Sequence, residues 1–253
     1  MNTNSKTVEK TLEIIDYILK KNAPTGILEI AKSLDMNTST VQRIVNTLSN
    51  AQYLSQDSEN RKYCLGFKFL EISNHILNTM DLRVIAHTYL KELRDKTQET
   101  IHLMVLNDSM GVYIDSLESP QRTRVVTAIG TRDHLHYSAV GKAILAHLSD
   151  QEVETICQAR GLRKVTSNTI TDLNRLKREL SEVRRQGYSI DDEEGETGTR
   201  CIGAPIFKHN GKVNASISLA APCQRLSREQ FGQYVPLVIK TANKISAALG
   251  YIK

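Results

Sequence analysis

The sequence predicts an α+β protein in two parts: a winged helix-turn-helix, then a larger domain on a mostly antiparallel sheet. Three observations carry this. Apolar residues recur at helical spacing through residues 7–50, with tight breaks between the runs. Two short apolar runs around a polar tip follow them. From about residue 100 onward, strand-like and helix-like stretches alternate over a length that a single small domain does not need.

The elements follow in order. Val8, Leu12, Ile15, Ile18 and Leu19 mark an amphipathic helix over 7–21. Pro24 disfavours helix at the residue before it and Gly26 frees the backbone, so the helix stops there. Leu28, Ile30, Ala31 and Leu34 give a short helix over 27–34, and residues 35–37 form a tight turn. Asn37 or Thr38 can cap a third helix, which runs to about Asn50 and turns Val41, Ile44, Val45 and Leu48 inward. Residues 53–56 and 61–65 flank the polar tip 57–60 as a hairpin, which makes the helix-turn-helix winged. Residues 67–96 are helical by period, and the domain division is expected within 73–80. Beyond it, 101–106 and 111–117 read as a hairpin and 124–129 as a further strand. Helices are expected from Ser138 through Ala146, over 150–160 and around Leu173–Val183. Strands follow near 188–190, 201–207 and 213–219, and a closing helix spans 228–249.

Composition narrows the class. Hydrophobic residues are 40% and charged residues 24% of the 253, enough to build a core. No run approaches the roughly 18 apolar residues of a membrane span, and the N-terminus lacks the apolar segment of a secretory signal. Cys64, Cys157, Cys201 and Cys223 are scattered with no CxxC pair, which fits reduced thiols and a cytoplasmic protein. The net charge of +5 decides little: residues 1–73 carry nine basic and eight acidic side chains. A nucleic-acid reading must rest on local arrangement.

That arrangement is present in the third helix. Its polar face holds Thr38, Ser39, Thr40, Gln42, Arg43, Asn46 and Thr47, and no acidic residue occurs between Met36 and Gln56. Gln and Asn pair with adenine and Arg with guanine in the major groove, while short hydroxyls suit phosphates. Arg61 and Lys62 on the hairpin suit the DNA backbone or minor groove. The candidate DNA-binding set is therefore Thr38, Ser39, Thr40, Gln42, Arg43, Asn46, Arg61 and Lys62.

Three ordered stretches resemble the IclR family of transcriptional regulators. They are Leu28-Glu-Ile-Ala-Lys-Ser-Leu34 with Asn37-Thr-Ser-Thr-Val-Gln-Arg-Ile-Val-Asn-Thr-Leu48, then Gly130-Thr-Arg-Asp-His-Leu-His-Tyr-Ser-Ala-Val-Gly-Lys-Ala-Ile-Leu145, then Gly187-Tyr-Ser-Ile-Asp-Asp-Glu-Glu194 with Gly198-Thr-Arg-Cys-Ile-Gly-Ala-Pro-Ile206 and Ala215-Ser-Ile-Ser218. Within that family, Thr100-Ile-His-Leu103, Val112-Tyr-Ile114 and the chain's end resemble the branch that represses ketodeoxygluconate and pectin-breakdown genes. The resemblance implies a winged helix-turn-helix over 1–73, a linker helix over 74–98 and a GAF-like effector-binding domain over 99–253. It also implies homodimers or homotetramers on a palindromic double-stranded operator, and a small-molecule effector. His134 stands where the family usually has proline.

The family's pocket pattern places Val125, Leu135 and Ala139 on one wall and Asp191, Cys201 and Ser218 on the other. Ser216 shares strand parity with Ser218 and joins the set. Ser138 can cap the helix carrying Gly141 and Lys142, whose free N–H groups favour a carboxylate. Two other readings stand beside this one. His134, His136, Cys201 and the acidic run 191–194 could build a Cys-His enzyme or a metal site, but no HExxH, GxSxG or P-loop supports it. A ligand-independent DNA-binding protein would leave most of the chain idle. No catalytic residue, metal or cofactor is expected.

Overall fold

The computed structural model describes residues 5–79 and 81–252. Residues 1–4, Met80 and Lys253, which the expected domain spans include, lie outside that set. The chain divides into two compact units, Met1–Thr79 and Met80–Lys253.

The first unit holds α1 (Lys6–Lys21), α2 (Ile27–Ser33), α3 (Thr38–Asn50), the hairpin β1 (Leu54–Gln56) and β2 (Tyr63–Leu65), and α4 (Lys68–Thr79). The helical period translates directly into packing. Ile14 and Ile18 of α1, Ile30 of α2, and Val41, Ile44, Val45 and Leu48 of α3 form one core with Leu54 and Tyr63 of the hairpin. Asp35 adopts φ 50, which turns the chain between α2 and α3. Asn37 stands at the N-cap of α3, but its side chain makes no capping hydrogen bond. One tie escaped sequence reasoning. Thr25, just after Pro24, exchanges two backbone hydrogen bonds with Tyr63 at 2.9 Å each, fastening the wing to the turn before α2.

The second unit contains α5 (Asp81–Thr97), β3 (Thr100–Asn107), β4 (Met110–Leu117), β5 (Arg132–Asp133), α6 (Ala139–Leu145), α7 (Asp150–Arg160), α8 (Leu173–Gln186), β6 (Ser189–Asp192), β7 (Thr199–Phe207), β8 (Val213–Pro222) and α9 (Phe231–Ala248). The stretch expected as one linker helix over 74–98 is thus described as α4 and α5, one in each unit. The six strands run β5-β4-β3-β8-β7-β6, every pairing antiparallel. Alternation sorts the side chains between two faces. Ile101 and Leu103, Ile202, Ala204 and Ile206, and Ala215, Ile217 and Leu219 pack with α5 and α9. The opposite face carries α6, backed by α7 and α8, over Met104 and Tyr113.

The strand expected over 124–129 is not formed. Val125 and Thr127 alternate inward as a strand would, but the free edge of β4 is taken by β5, which pairs Gly111 with Asp133 and Val112 with Arg132. The segment is held instead by the Thr100 hydroxyl, which donates to the Val125 carbonyl at 2.8 Å.

Two glycines set the position of α6. A Cβ on Gly141 would run into the Leu135 backbone, and one on Gly203 of β7 would run into the Ala139 carbonyl and the Ser189 hydroxyl. Ser189 donates to the Ala139 carbonyl at 2.6 Å and Ser216 to the Val140 carbonyl at 2.7 Å, pinning the helix start to the sheet.

Candidate functional site

In the first unit, α3 buries its apolar face and presents the opposite one. Thr38, Ser39, Gln42, Arg43, Asn46 and Thr47 are exposed and Thr40 is half-buried. Gln42 donates to the Asn46 Oδ1 at 2.8 Å, so these two amides form a paired polar edge one helical turn apart. On the wing, Arg61 and Lys62 are exposed beside Tyr63, which is buried. The tip is organised by Asp57, whose carboxylate accepts from the backbone N–H groups of Glu59 and Asn60. These bonds hold its carboxyl below the usual range. The tip therefore keeps an acid beside two cations, but ties that acid to its own backbone.

In the second unit, a cavity of about 170 Å³ opens between the sheet and the start of α6. Its floor is set by register. Ser218 pairs with both His102 and Gly203, and Asp191 pairs with Cys201. Its roof is Ser138, Ala139 and Val140, where the Ser138 hydroxyl caps α6 by accepting from Gly141 N–H at 3.1 Å. Val125, Ala139, Asp191, Cys201 and Ser218 all line this cavity, as do His102, Tyr113, Thr127, Asp133, Tyr137, Glu196 and Thr199.

Two expected residues sit elsewhere. Leu135 is buried under α6 in the apolar cluster with Val140 and Ile144, because Gly141 lets the helix close over its backbone. Ser216 points toward α6 but spends its hydroxyl on the Val140 carbonyl. His134 does not line the cavity. Its ring meets those of His136 and Tyr137, and no group of three or more metal-ligating side chains is formed among the described residues. Arg122 and Arg124 are exposed, and Arg124 pairs with Glu118 at 2.6 Å.

The electrostatics of the cavity are set by burial. Asp191 is 5% exposed. Its Oδ1 accepts from the N–H groups of Glu194 at 2.7 Å and Gly195 at 3.3 Å. Burial outweighs these bonds and pushes the carboxyl up to about 7. Burial also raises Asp133, which accepts a hydrogen bond from the Tyr137 hydroxyl. It lowers His102 to about 4, so that ring is neutral, and its Nε2 has no hydrogen-bond partner. The Cys201 thiol is pushed well above its ordinary value by burial.

Lys142, one helix turn after Ser138, is fully buried and faces away from solvent onto Glu194 at 2.5 Å and Glu179 at 3.3 Å. The acidic run 191–194 is held by ion pairs. Asp192 pairs with Arg200 and Arg228, each at 2.5 Å, and Glu194 with Lys142.

Comparison with known proteins accords with this arrangement. Residues 7–58 match the IclR helix-turn-helix domain, and residues 74–247 match the C-terminal domain of the bacterial transcriptional regulator IclR. The HTH-type transcriptional regulator KdgR of Escherichia coli is 38% identical over 247 residues, covering 97% of this chain and 94% of its own. That of Dickeya chrysanthemi is 36% identical over 97% of this chain and 81% of its own. The crystal structure of the Thermotoga maritima IclR superposes with a TM-score of 0.81 at 33% identity, covering 97% of this chain and 99% of that one. With both halves matched in order and relatives similar along nearly the whole length, the chain belongs to the IclR family of bacterial transcriptional regulators.

Proposed function

We propose that the protein is a repressor that binds a palindromic operator as a homodimer or homotetramer. In this reading α3 enters the major groove and Arg61 and Lys62 contact the flanking backbone. A small carboxylated metabolite in the cavity of the second unit then shifts the protein away from its DNA-competent form. Coupling of this kind is worth about 1–3 kcal/mol, or roughly 5- to 150-fold in operator affinity.

The observation that carries the ligand half is the cavity itself. Its 170 Å³ is comparable with the roughly 150 Å³ void that accommodates benzene, so it encloses one end of a small ligand while its open side leaves room for the rest of a longer one. Its lining is rich in hydroxyl and carboxyl partners: Thr127, Tyr137, Asp191, Thr199 and Ser218. A short hydroxylated acid satisfies such a set better than an apolar ligand does. The effector is accordingly a sugar acid such as 2-keto-3-deoxygluconate, in keeping with the resemblance to the ketodeoxygluconate branch.

The test is operator binding to the gene's own upstream region at physiological salt, with and without 2-keto-3-deoxygluconate. The reading expects preference over random duplex and a saturable loss of it with ligand. Equal affinity for both duplexes refutes the DNA half. Operator binding unmoved by the sugar acid refutes the ligand half.

A further inference from the structure

Carboxyl groups dominate the charge of the cavity. Asp133, Asp191 and Glu196 line it, and its lining includes no lysine or arginine. Such a lining repels the carboxylate that the proposed function assigns to it, unless one of those acids is neutral.

The surroundings of Asp191 identify which. On its own loop stand Glu194 and Glu196. From α6 comes Lys142, which pairs with Glu194 at 2.5 Å and Glu179 at 3.3 Å and offers Asp191 only a through-space attraction that burial outweighs. From the sheet come Cys201 of β7, Tyr113 of β4 and His102 of β3, each uncharged when buried, and Asp133 of β5. Asp191 is thus a nearly enclosed carboxyl without a free cation in its shell. Two backbone N–H groups already hold Oδ1. A proton on Oδ2 converts that oxygen from an acceptor into a donor, which is what an incoming carboxylate needs.

We infer that an anionic effector enters this cavity together with a proton, which Asp191 holds, so that effector affinity falls as pH rises. The inference rests on the proposed reading of the cavity as a carboxylate site. Its sign follows from the raised carboxyl. Below about 7 Asp191 is protonated and receives the anion at no further cost. Above that value a proton must be taken up, and affinity drops tenfold per pH unit. Between pH 6 and pH 8 the expected loss is about tenfold.

Titration calorimetry of the full chain with 2-keto-3-deoxygluconate tests this at pH 6, 7 and 8. Each pH is run in two buffers of different ionisation enthalpy, which counts the protons exchanged. The expected result is close to one proton taken up per site at pH 8, almost none at pH 6, and affinity about tenfold weaker at the higher pH. Asp191→Asn keeps the acceptor at Oδ1 and places an N–H donor at the other position. It is expected to bind with no proton uptake and a flat pH profile. Wild-type binding without uptake at pH 8 overturns the inference and leaves the carboxylate reading standing. Uptake that persists in Asp191→Asn overturns the assignment to Asp191 and moves the proton to another group, such as His102. Absence of binding at all three pH values overturns both. The wild-type proton count decides the matter by itself should the variant fail to fold.

Discussion

Lys142→Met keeps the aliphatic stem of a fully buried side chain and removes its charge. Glu194, whose side chain is 9% exposed, is then left without its counter-ion, and its Oε2 already lacks a hydrogen-bond partner. Glu179 is 38% exposed and stays solvated, so the cost falls on Glu194. Removing one partner of a buried pair costs about 3–5 kcal/mol. In a domain of this size each kcal/mol lowers the melting temperature by roughly 2–4 °C, so a drop on the order of 6–20 °C is expected. The penalty has a pH signature. Burial already raises Glu194 against the pull of Lys142. Without the lysine the carboxyl must take up a proton on folding. The loss is therefore largest above its raised folded value and shrinks as pH falls toward the ordinary carboxylate range. Scanning calorimetry at pH 5 and pH 8 follows the transition of the second unit. The double variant Lys142→Met/Glu194→Met removes both charges and should recover most of the loss. A single-variant loss below about 1 kcal/mol, the same loss at both pH values, or no recovery in the double variant would refute the reasoning.

Further outcomes are expected elsewhere. Arg43→Ala should weaken operator binding by about 1–3 kcal/mol while leaving effector binding intact; a gel-shift series measures the first and calorimetry the second. Lys62→Ala should weaken binding to all duplexes alike and lower the slope of log affinity against log salt by about one; an unchanged slope places that lysine off the backbone. Gly203→Ala should lift α6 off the sheet and abolish effector binding without touching operator binding by the ligand-free protein. Effector affinity within twofold of wild type would show that the helix start does not depend on that close approach.

What the sequence disclosed depended on distance along the chain. The helices of the first unit were legible because each apolar stripe, such as Val41, Ile44, Val45 and Leu48, recurs within one element and meets partners a few dozen residues away. Alternation likewise exposed the strands of the second unit. It misled at 124–129, where Val125 and Thr127 keep strand parity in a segment without a ladder. At the cavity, Asp191, Cys201 and Ser218 were found through resemblance, whereas His102, Tyr113 and Asp133 were not. Those three reach the site only because β3 pairs with β8, more than one hundred residues later in the chain, and a lone sequence carries no record of that pairing. Ser216 had the right parity, but parity gives only the face, and the α6 carbonyl above it claims the hydroxyl. Lys142 read as part of a positive helix start. A wholly enclosed lysine is rare enough that nothing in a single sequence announces it.

The pair of main-chain bonds between Thr25 and Tyr63 constrains how this protein surveys DNA. Because the loop preceding the helix-turn-helix doubles as a one-residue third strand beside β2 of the hairpin, the tip bearing Arg61 and Lys62 is tied to the frame that holds α3. On the proposed reading, in which α3 enters the groove and Arg61 and Lys62 grip the flank, the two contacts engage as one rigid jaw. Base preference within a half-site would then be fixed by the first unit itself, and the proposed metabolite, acting through the second, would have only the placement of whole jaws left to adjust.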